Sequence, residues 1–92
     1  MRVRWTEAAA ADFTHICDYT EERFGPAQAR RAALVIYDSV DSLRAMPHKG
    51  RPGRMPNTRE LSILKLPFMV IYRVREGVIE VNRILHGAQG WP

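Results

Sequence analysis

Arg83 and His86 stand three residues apart in the stretch NRILHGAQGWP, which covers residues 82–92. With Arg59 they are the residue types that metal-free cleavage of RNA requires: a proton-transfer group that works near neutral pH, and cations that stabilise the phosphorane charge. A lone histidine is more often an ordinary surface residue. An arginine on a strand often covers apolar surface with its stem while its head reaches water. From the residues alone, both interpretations stay open.

Strand periodicity restricts how these groups are placed. Alternate positions from 79 to 85 share one side of a regular strand, so Arg83 has apolar neighbours there and His86 points to the other side. A β-bulge or a strand end would lift this restriction. Arg59 begins another predicted strand, and Glu60 beside it is expected to form an ion pair with Arg59 rather than act as a general base.

The charge is distributed unevenly along the chain. The formal net charge is +4, but residues 1–43 hold five basic residues against seven acidic ones, a charge of −2. Residues 44–92 hold nine basic residues against three acidic ones, a charge of +6. Such asymmetry indicates either a polyanion or acidic partner for the C-terminal half, or a solvated basic surface.

Two amphipathic helices are predicted in the N-terminal half. Thr6 is a suitable N-cap for a helix that runs to Phe24, and Gly25 followed by Pro26 ends one helix and begins the next. The second helix is expected to continue to about Ala45, with Leu34 and Tyr37 widening its apolar seam. The link is so short that the helices must form an antiparallel hairpin. The first helix carries the apolar stripe Phe13, Ile16, Cys17, Thr20 and Phe24, and core packing is the prediction for Cys17.

The C-terminal half reads as a loop followed by three antiparallel strands. The loop is MPHKGRPGRMPNT, and the strands are RELSILK, FMVIYRV and VIEVNRIL, with a tight turn at Glu76-Gly77 between the last two. A short strand is also predicted at Val3–Trp5, and Trp91 is expected to return to the core. The sequence therefore predicts one α+β domain over residues 1–92, with the helical hairpin packed on the sheet.

Several classes of protein are disfavoured by the sequence. No His, Cys, Asp or Glu cluster has metal-ligand spacing, no glycine-rich phosphate loop precedes a helix, and no acyl-transfer motif surrounds a serine, so neither metal nor cofactor is expected. No apolar run approaches the ~20 residues of a membrane span. The N-terminal residues do not resemble a secretion signal, and the single cysteine fits a reducing compartment, so a cytoplasmic location is expected.

Taken in order, five segments resemble toxins of the RelE/ParE superfamily from bacterial type II toxin–antitoxin systems: WTEAAAADF, ERFGPAQA, LRAMPHKGRPGRMPNTREL, LPFMVIYRV and RILHGAQGWP. The resemblance covers nearly the whole chain. It implies a helical hairpin on an antiparallel sheet of about four strands. It also implies a cognate antitoxin protein whose C-terminal segment wraps the toxin as helix and strand.

The superfamily divides by target. RelE-like members cleave mRNA on the ribosome, whereas ParE-like members poison DNA gyrase and cut no RNA. The resemblance to the RelE-like branch implies catalytic roles for Arg59, Arg83 and His86, although no tyrosine follows His86. Ribosome-dependent mRNA cleavage is the favoured hypothesis; a gyrase inhibitor and a degenerate, non-toxic antitoxin-binding module are the alternatives. RNA contacts are assigned to Lys49, Arg51, Arg54, Lys65 and Arg73.

Overall fold

The computed structural model describes residues 1–87, so the predicted packing of Trp91 lies outside the described part of the chain. Its elements in chain order are β1 (Arg2–Trp5), α1 (Glu7–Phe24), α2 (Pro26–Asp41), a 3-10 turn (Ser42–Arg44), β2 (Arg51–Pro52), β3 (Arg59–Ser62), β4 (Phe68–Arg75) and β5 (Val78–His86). The strands form one sheet in the order β1-β5-β4-β3-β2. The two helices pack on it, which confirms the α+β fold.

The sheet differs in two details from the expectation. It has five strands, because the loop before β3 adds the two-residue strand β2. It is also mixed, because β1 runs parallel to β5 while the other neighbours are antiparallel. The parallel pair joins residues 76 apart in sequence, such as Arg2 with Val78. No local turn motif in the sequence could therefore indicate this pairing.

Local signals set the boundaries of the helical hairpin. The hydroxyl of Thr6 accepts a hydrogen bond from the Ala9 N–H at 3.1 Å and caps α1. Gly25 has φ 90°, a conformation that side-chain-bearing residues rarely adopt, and it separates the helices. α2 ends at Asp41 rather than Ala45, because the chain tightens into the 3-10 turn, where Ser42 Oγ donates to the Ser39 carbonyl at 2.6 Å.

The main core lies between the hairpin and one face of the sheet, which we call the inner face. The helices contribute buried residues that include Ile36 and Val40, and the 3-10 turn contributes Leu43. The inner face contributes Val70, Tyr72, Ile79, Val81 and Ile84. Leu34 and Tyr37, predicted to widen the apolar seam of α2, are 57% and 55% exposed, so neither side chain belongs to the core.

A β-bulge in β5 changes which face its residues occupy. Tyr72 pairs with Val81, but Ile71 pairs with Arg83, so Asn82 is an extra residue between them. Ile71 belongs to a small second cluster with Met69 and Leu85, on the face away from the helices, which we call the outer face. The bulge therefore takes Arg83 off the face of Val81 and places it beside Ile71.

No helix within residues 1–87 is long and apolar enough to cross a membrane.

Candidate functional site

Arg83 lies in a two-point ion pair with Asp12 of α1. Its Nε donates to Asp12 Oδ2 at 2.7 Å, and its Nη2 donates to Oδ1 at 2.9 Å. The same carboxylate accepts the backbone N–H of Ile84 at 3.0 Å. The hydrogen bond to Asp12 raises the pKa of Arg83, against the opposing effect of burial. The fork geometry of guanidinium and carboxylate makes this a strong contact that occupies one edge of the Arg83 head.

Arg59 is directed into the loop that precedes it. Its Nη1 donates to the Gly50 carbonyl at 2.8 Å and to the His48 carbonyl at 3.3 Å. Arg59 pairs with Tyr72 across the strands and therefore lies on the inner face. In this position Arg59 acts as a tie between β3 and the loop.

His86 is an exposed residue at the end of β5. It pairs with Phe68, and the two rings make an edge-to-face contact with centroids 5.6 Å apart. Because Ile84, two residues earlier, is in the main core, His86 lies on the inner side at the sheet end. The predicted separation of Arg83 and His86 onto opposite faces is therefore present.

The structure does not bring the three predicted catalytic residues together. Arg83 is on the outer face, whereas Arg59 and His86 are on the inner side. The β4 partners of Arg59 and His86 are Tyr72 and Phe68, four residues apart, which is roughly 13 Å along the strand. A phosphate group held by one of these residues would lie beyond direct reach of at least one other.

The loop between the 3-10 turn and β3 is organised by two buried groups. Tyr72 accepts the Gly50 N–H at 2.9 Å and donates to the Pro47 carbonyl at 2.8 Å. A Cβ on Gly50 would meet that hydroxyl at 2.8 Å, so the close approach requires glycine. Burial raises the pKa of Tyr72, although the Gly50 hydrogen bond and the charge of Arg59 act in the opposite direction.

Glu60 is the second buried group, and its partner differs from the one expected. It does not pair with its neighbour Arg59. It accepts from Nη2 of Arg51 at 3.1 Å and from the backbone N–H of Arg54 at 3.1 Å. Adjacent strand residues point to opposite faces, so the loop arginine reaches Glu60 and the neighbour does not.

The remaining residues assigned to RNA contact are spread over the molecule. Lys49 donates to Ser42 Oγ at 3.1 Å near the 3-10 turn. β3 ends at Ser62 rather than running to Lys65. Lys65 therefore lies in the turn between β3 and β4, where its φ is 68°. Arg73 lies on β4 with its Nε 3.9 Å from Glu80. These three cations do not share a cavity.

An apolar groove opens between the helical hairpin and the end of the sheet. Its volume is about 600 Å³, and its lining includes Ile16, Tyr19, Phe24, Phe68 and His86. Phe24 was expected to pack in the core, but it is 67% exposed at the rim of this groove, and Tyr19 is 54% exposed. Sequence reasoning did not single out Tyr19, although it stands one turn before Arg23, whose guanidinium lies over its ring. An apolar groove of this size suits a protein segment better than a nucleic acid.

Cys17 lies on the same helix and is half-buried. Burial raises the pKa of its thiol, and the charge of Asp18 acts in the same direction. A raised pKa keeps the thiol protonated and a poor nucleophile at neutral pH, in line with a packing role. Among residues 1–87, no group of three or more His, Cys, Asp or Glu could hold a metal ion.

A second, shallower depression joins His86 to the basic loop. Its volume is about 350 Å³, and Arg51, Arg54 and His86 line it together with apolar residues that include Met69. In this depression, the predicted catalytic residue His86 lies beside the predicted RNA-binding residues Arg51 and Arg54.

This fold, with a helical hairpin on a sheet that ends in an apolar groove and a basic loop, is that of a toxin of the RelE/ParE superfamily. Residues 3–91 match the model of the family described as ParE toxin of type II toxin–antitoxin system, parDE, and the chain belongs to that family. A type II toxin implies a protein antitoxin as partner.

Individual relatives cover almost the full length. The toxin RelE2 of Caulobacter vibrioides is 38% identical over 88 residues, which cover 96% of this chain and 97% of the relative. The Y4kP protein of Sinorhizobium fredii is 37% identical over 91 residues, covering 99% and 93%. A solved structure of the chromosomal ParDE system from P. aeruginosa matches with a TM-score of 0.88 and 33% identity, covering 94% of this chain and 95% of that chain.

Proposed function

We propose that this toxin arrests growth by inhibiting DNA gyrase, without hydrolysing RNA, and that its antitoxin is held in the apolar groove. The observation that carries the proposal is the separation of Arg59, Arg83 and His86. Metal-free RNA cleavage needs proton transfer and charge stabilisation at one phosphate, within hydrogen-bond reach of the reacting atoms. In this chain, the two arginines instead hold Asp12 and the loop carbonyls.

The surroundings of His86 support the same choice. On the inner side, where His86 lies, its cross-strand neighbour is Phe68, and the two residues line the apolar groove together with Ile16. A histidine at the mouth of an apolar groove is suited to packing against a protein segment. Family membership agrees, since in the resemblance described above the ParE-like branch is the one that poisons gyrase.

Ribosome-dependent mRNA cleavage, the hypothesis that the sequence favoured, is retained as the second candidate. The depression lined by Arg51, Arg54 and His86 favours it, because two cations there flank a proton-transfer group. The relative named RelE2 gives it further support. Arg51 is partly engaged by Glu60, which weakens its availability to RNA.

The antitoxin proposal rests on the character of the groove. Its exposed aromatic residues, Tyr19 and Phe24, would provide the large apolar contacts that stable protein interfaces concentrate at their centre. Arg31 also lines the groove, so an acidic residue on the docking segment would find a partner at the rim. A helix with apolar residues on one face and an acidic flank has the required chemistry.

Induction of the toxin without its antitoxin separates the candidates. Gyrase inhibition predicts DNA breaks with intact transcripts, together with loss of supercoiling activity when purified toxin is added to gyrase. His86→Ala is expected to retain growth arrest. Transcripts cut at codons, intact DNA and loss of arrest in His86→Ala would overturn the gyrase proposal in favour of ribosome-dependent cleavage. No growth arrest at all would identify a degenerate toxin.

A further inference from the structure

Four arginines meet on the outer face at the end of the sheet where β4 turns into β5. Arg2 and Arg75 flank Val78 on its two sides, and Arg4 and Arg73 flank Glu80 in the same way. We call these four residues the arginine cluster. From strand geometry, their Cα atoms occupy a rectangle of roughly 10 by 7 Å. Arg2 and Arg4 belong to the half of the sequence with net charge −2, so only the parallel pairing of β1 with β5 assembles the cluster.

The acidic groups nearby leave much of this charge unmatched. Glu80 is ion-paired with Arg4 and accepts from Asn82 Nδ2 at 3.0 Å. Arg73 approaches Glu80 only to 3.9 Å, and its Nε is shielded from solvent without a hydrogen-bond partner among the described residues. Within residues 1–87, the side chains of Arg2 and Arg75 form neither hydrogen bonds nor ion pairs. Counting Glu76 at the turn as well, four arginines face two glutamates.

The composition of this surface indicates the kind of ligand. A depression of about 230 Å³ runs between the strands, and Val78 is its one apolar lining residue. Stable protein interfaces have large apolar or aromatic anchors at their centre, and the half-buried Val78 is too small to provide one. Interfaces with the nucleic-acid backbone are instead polar and strongly basic, and guanidinium groups match phosphate oxygens with two hydrogen bonds each.

We propose that the arginine cluster binds the phosphate backbone of duplex DNA. The further step, that this duplex is the DNA bound by gyrase, rests on the proposed function. The cluster is distinct from the apolar groove, which lies at the opposite end of β4, beside Phe68. One surface is thus left for the antitoxin and another for DNA. The contact carries no sequence preference, because backbone contacts position a protein without reading bases.

The decisive experiment measures the binding of a short labelled duplex by fluorescence anisotropy at several salt concentrations. Arg2→Gln/Arg75→Gln removes two charges without breaking a contact within the described chain. Arg30→Gln/Arg44→Gln removes the same charge from exposed positions on α2 and the 3-10 turn, outside both the arginine cluster and the apolar groove, and is the matched control. The cluster variant is expected to bind roughly tenfold more weakly and to lower the magnitude of the logarithmic salt slope by about 1.8, since each phosphate contact contributes about 0.9. The control should change affinity by less than about twofold.

Each result bears on the inference by itself. Equal losses in the two variants would mean that general positive charge, not the cluster, attracts DNA, and would overturn the inference. Absence of duplex binding by the unmodified toxin would overturn it as well. If the cluster variant lost its antitoxin in copurification but kept duplex binding, the surface would belong to the antitoxin. Because gyrase is absent from the assay, a failure here leaves gyrase inhibition standing, and a failure of gyrase inhibition leaves duplex binding standing.

Discussion

The carboxylate of Asp12 is shared between the guanidinium of Arg83 and the backbone N–H of Ile84, across 71 and 72 residues of sequence. The contact joins the middle of α1 to β5 at the point where β1 no longer covers that edge of the sheet. Arg83 therefore has a structural partner independent of any substrate.

Asp12→Ala is expected to be more destabilising than Arg83→Ala. Loss of the carboxylate removes two charge-assisted hydrogen bonds and leaves the buried Ile84 N–H without an acceptor, which costs about 2–3 kcal/mol of unfolding free energy. Arg83→Ala leaves that N–H satisfied and should cost about 1 kcal/mol. Urea unfolding of the purified toxin measures both. Arg44→Ala, which breaks an exposed pair with Asp41, is the control and should cost less than about 0.5 kcal/mol. Equal costs for Asp12→Ala and Arg83→Ala would contradict the role given to Ile84.

Tyr72→Phe is expected to loosen the basic loop. The variant leaves the Gly50 N–H and the Pro47 carbonyl without their buried partner, and the unfolding free energy should fall by about 1–3 kcal/mol. Hydrogen exchange at Gly50 should accelerate with it. Tyr37→Phe, at an exposed hydroxyl on α2, is the matched control and should leave both measurements unchanged.

The same hydroxyl gives a dependence on alkaline pH. Burial raises the pKa of Tyr72, so the folded chain disfavours the phenolate. The stability that this provides is complete below the unfolded-state pKa of about 10 and is lost as the pH rises through the higher folded-state value. Above about pH 10, the unmodified toxin should therefore lose unfolding free energy more steeply than Tyr72→Phe. Parallel pH profiles for the two proteins would contradict a shifted Tyr72.

Glu60→Gln tests the other organiser of the loop. The amide keeps the shape of the side chain but loses the ionic partner of Arg51, and one of its atoms becomes a donor near guanidinium and N–H donors. A loss of about 1–2 kcal/mol in unfolding free energy is expected. Glu76→Gln, at the exposed turn between β4 and β5, is the control. Equal unfolding midpoints for the two variants in urea would show that the buried pair adds nothing.

Replacement of the groove aromatics tests the antitoxin site. Tyr19→Ala/Phe24→Ala removes two exposed rings, so stability should change by less than about 1 kcal/mol, whereas antitoxin affinity should fall at least about 100-fold if the rings are interface anchors. Calorimetric titration with the antitoxin gives the affinity. Met46→Ala/Leu64→Ala removes exposed apolar side chains outside the groove and should bind normally. Normal binding by the aromatic variant would place the antitoxin elsewhere.

Local chemistry made much of the fold predictable. Thr6 as an N-cap, Gly25 between the helices and the turn at Glu76-Gly77 are each set by a few adjacent residues, and the structure contains all three. Alternation in β5 likewise placed Ile79 and Val81 on one buried face, but it did not predict the bulge that moves Arg83 to the other face. The parallel pairing of β1 with β5 has no such local signal, since it is decided by how the whole chain closes.

The candidate site was less predictable for the same reason. Asn82 forms a bulge because the pairing with β4 slips there, and that slip decides which neighbours Arg83 has. Glu60 forms its ion pair with Arg51 rather than Arg59. The pleat of β3 points Arg59 to the opposite face, and the loop before β3 folds back to bring Arg51 beside Glu60. Residue types and charge balance indicated where cations would be. Long-range contacts determine which of these cations already form ion pairs or hydrogen bonds within the protein.

The carboxylate of Asp12 also protects the molecule against self-association. From Asn82 onward, β5 has no neighbouring strand on the side opposite β4 within residues 1–87. An unpaired strand edge of this kind is a template for pairing with a strand of another copy. Asp12 occupies the Ile84 N–H, and Thr6 Oγ1 occupies the Asn82 carbonyl at 3.0 Å. An incoming strand would have to displace an ion pair before forming its first backbone hydrogen bonds. α1 thus covers a sheet edge at which β5 could otherwise pair with a strand of another copy.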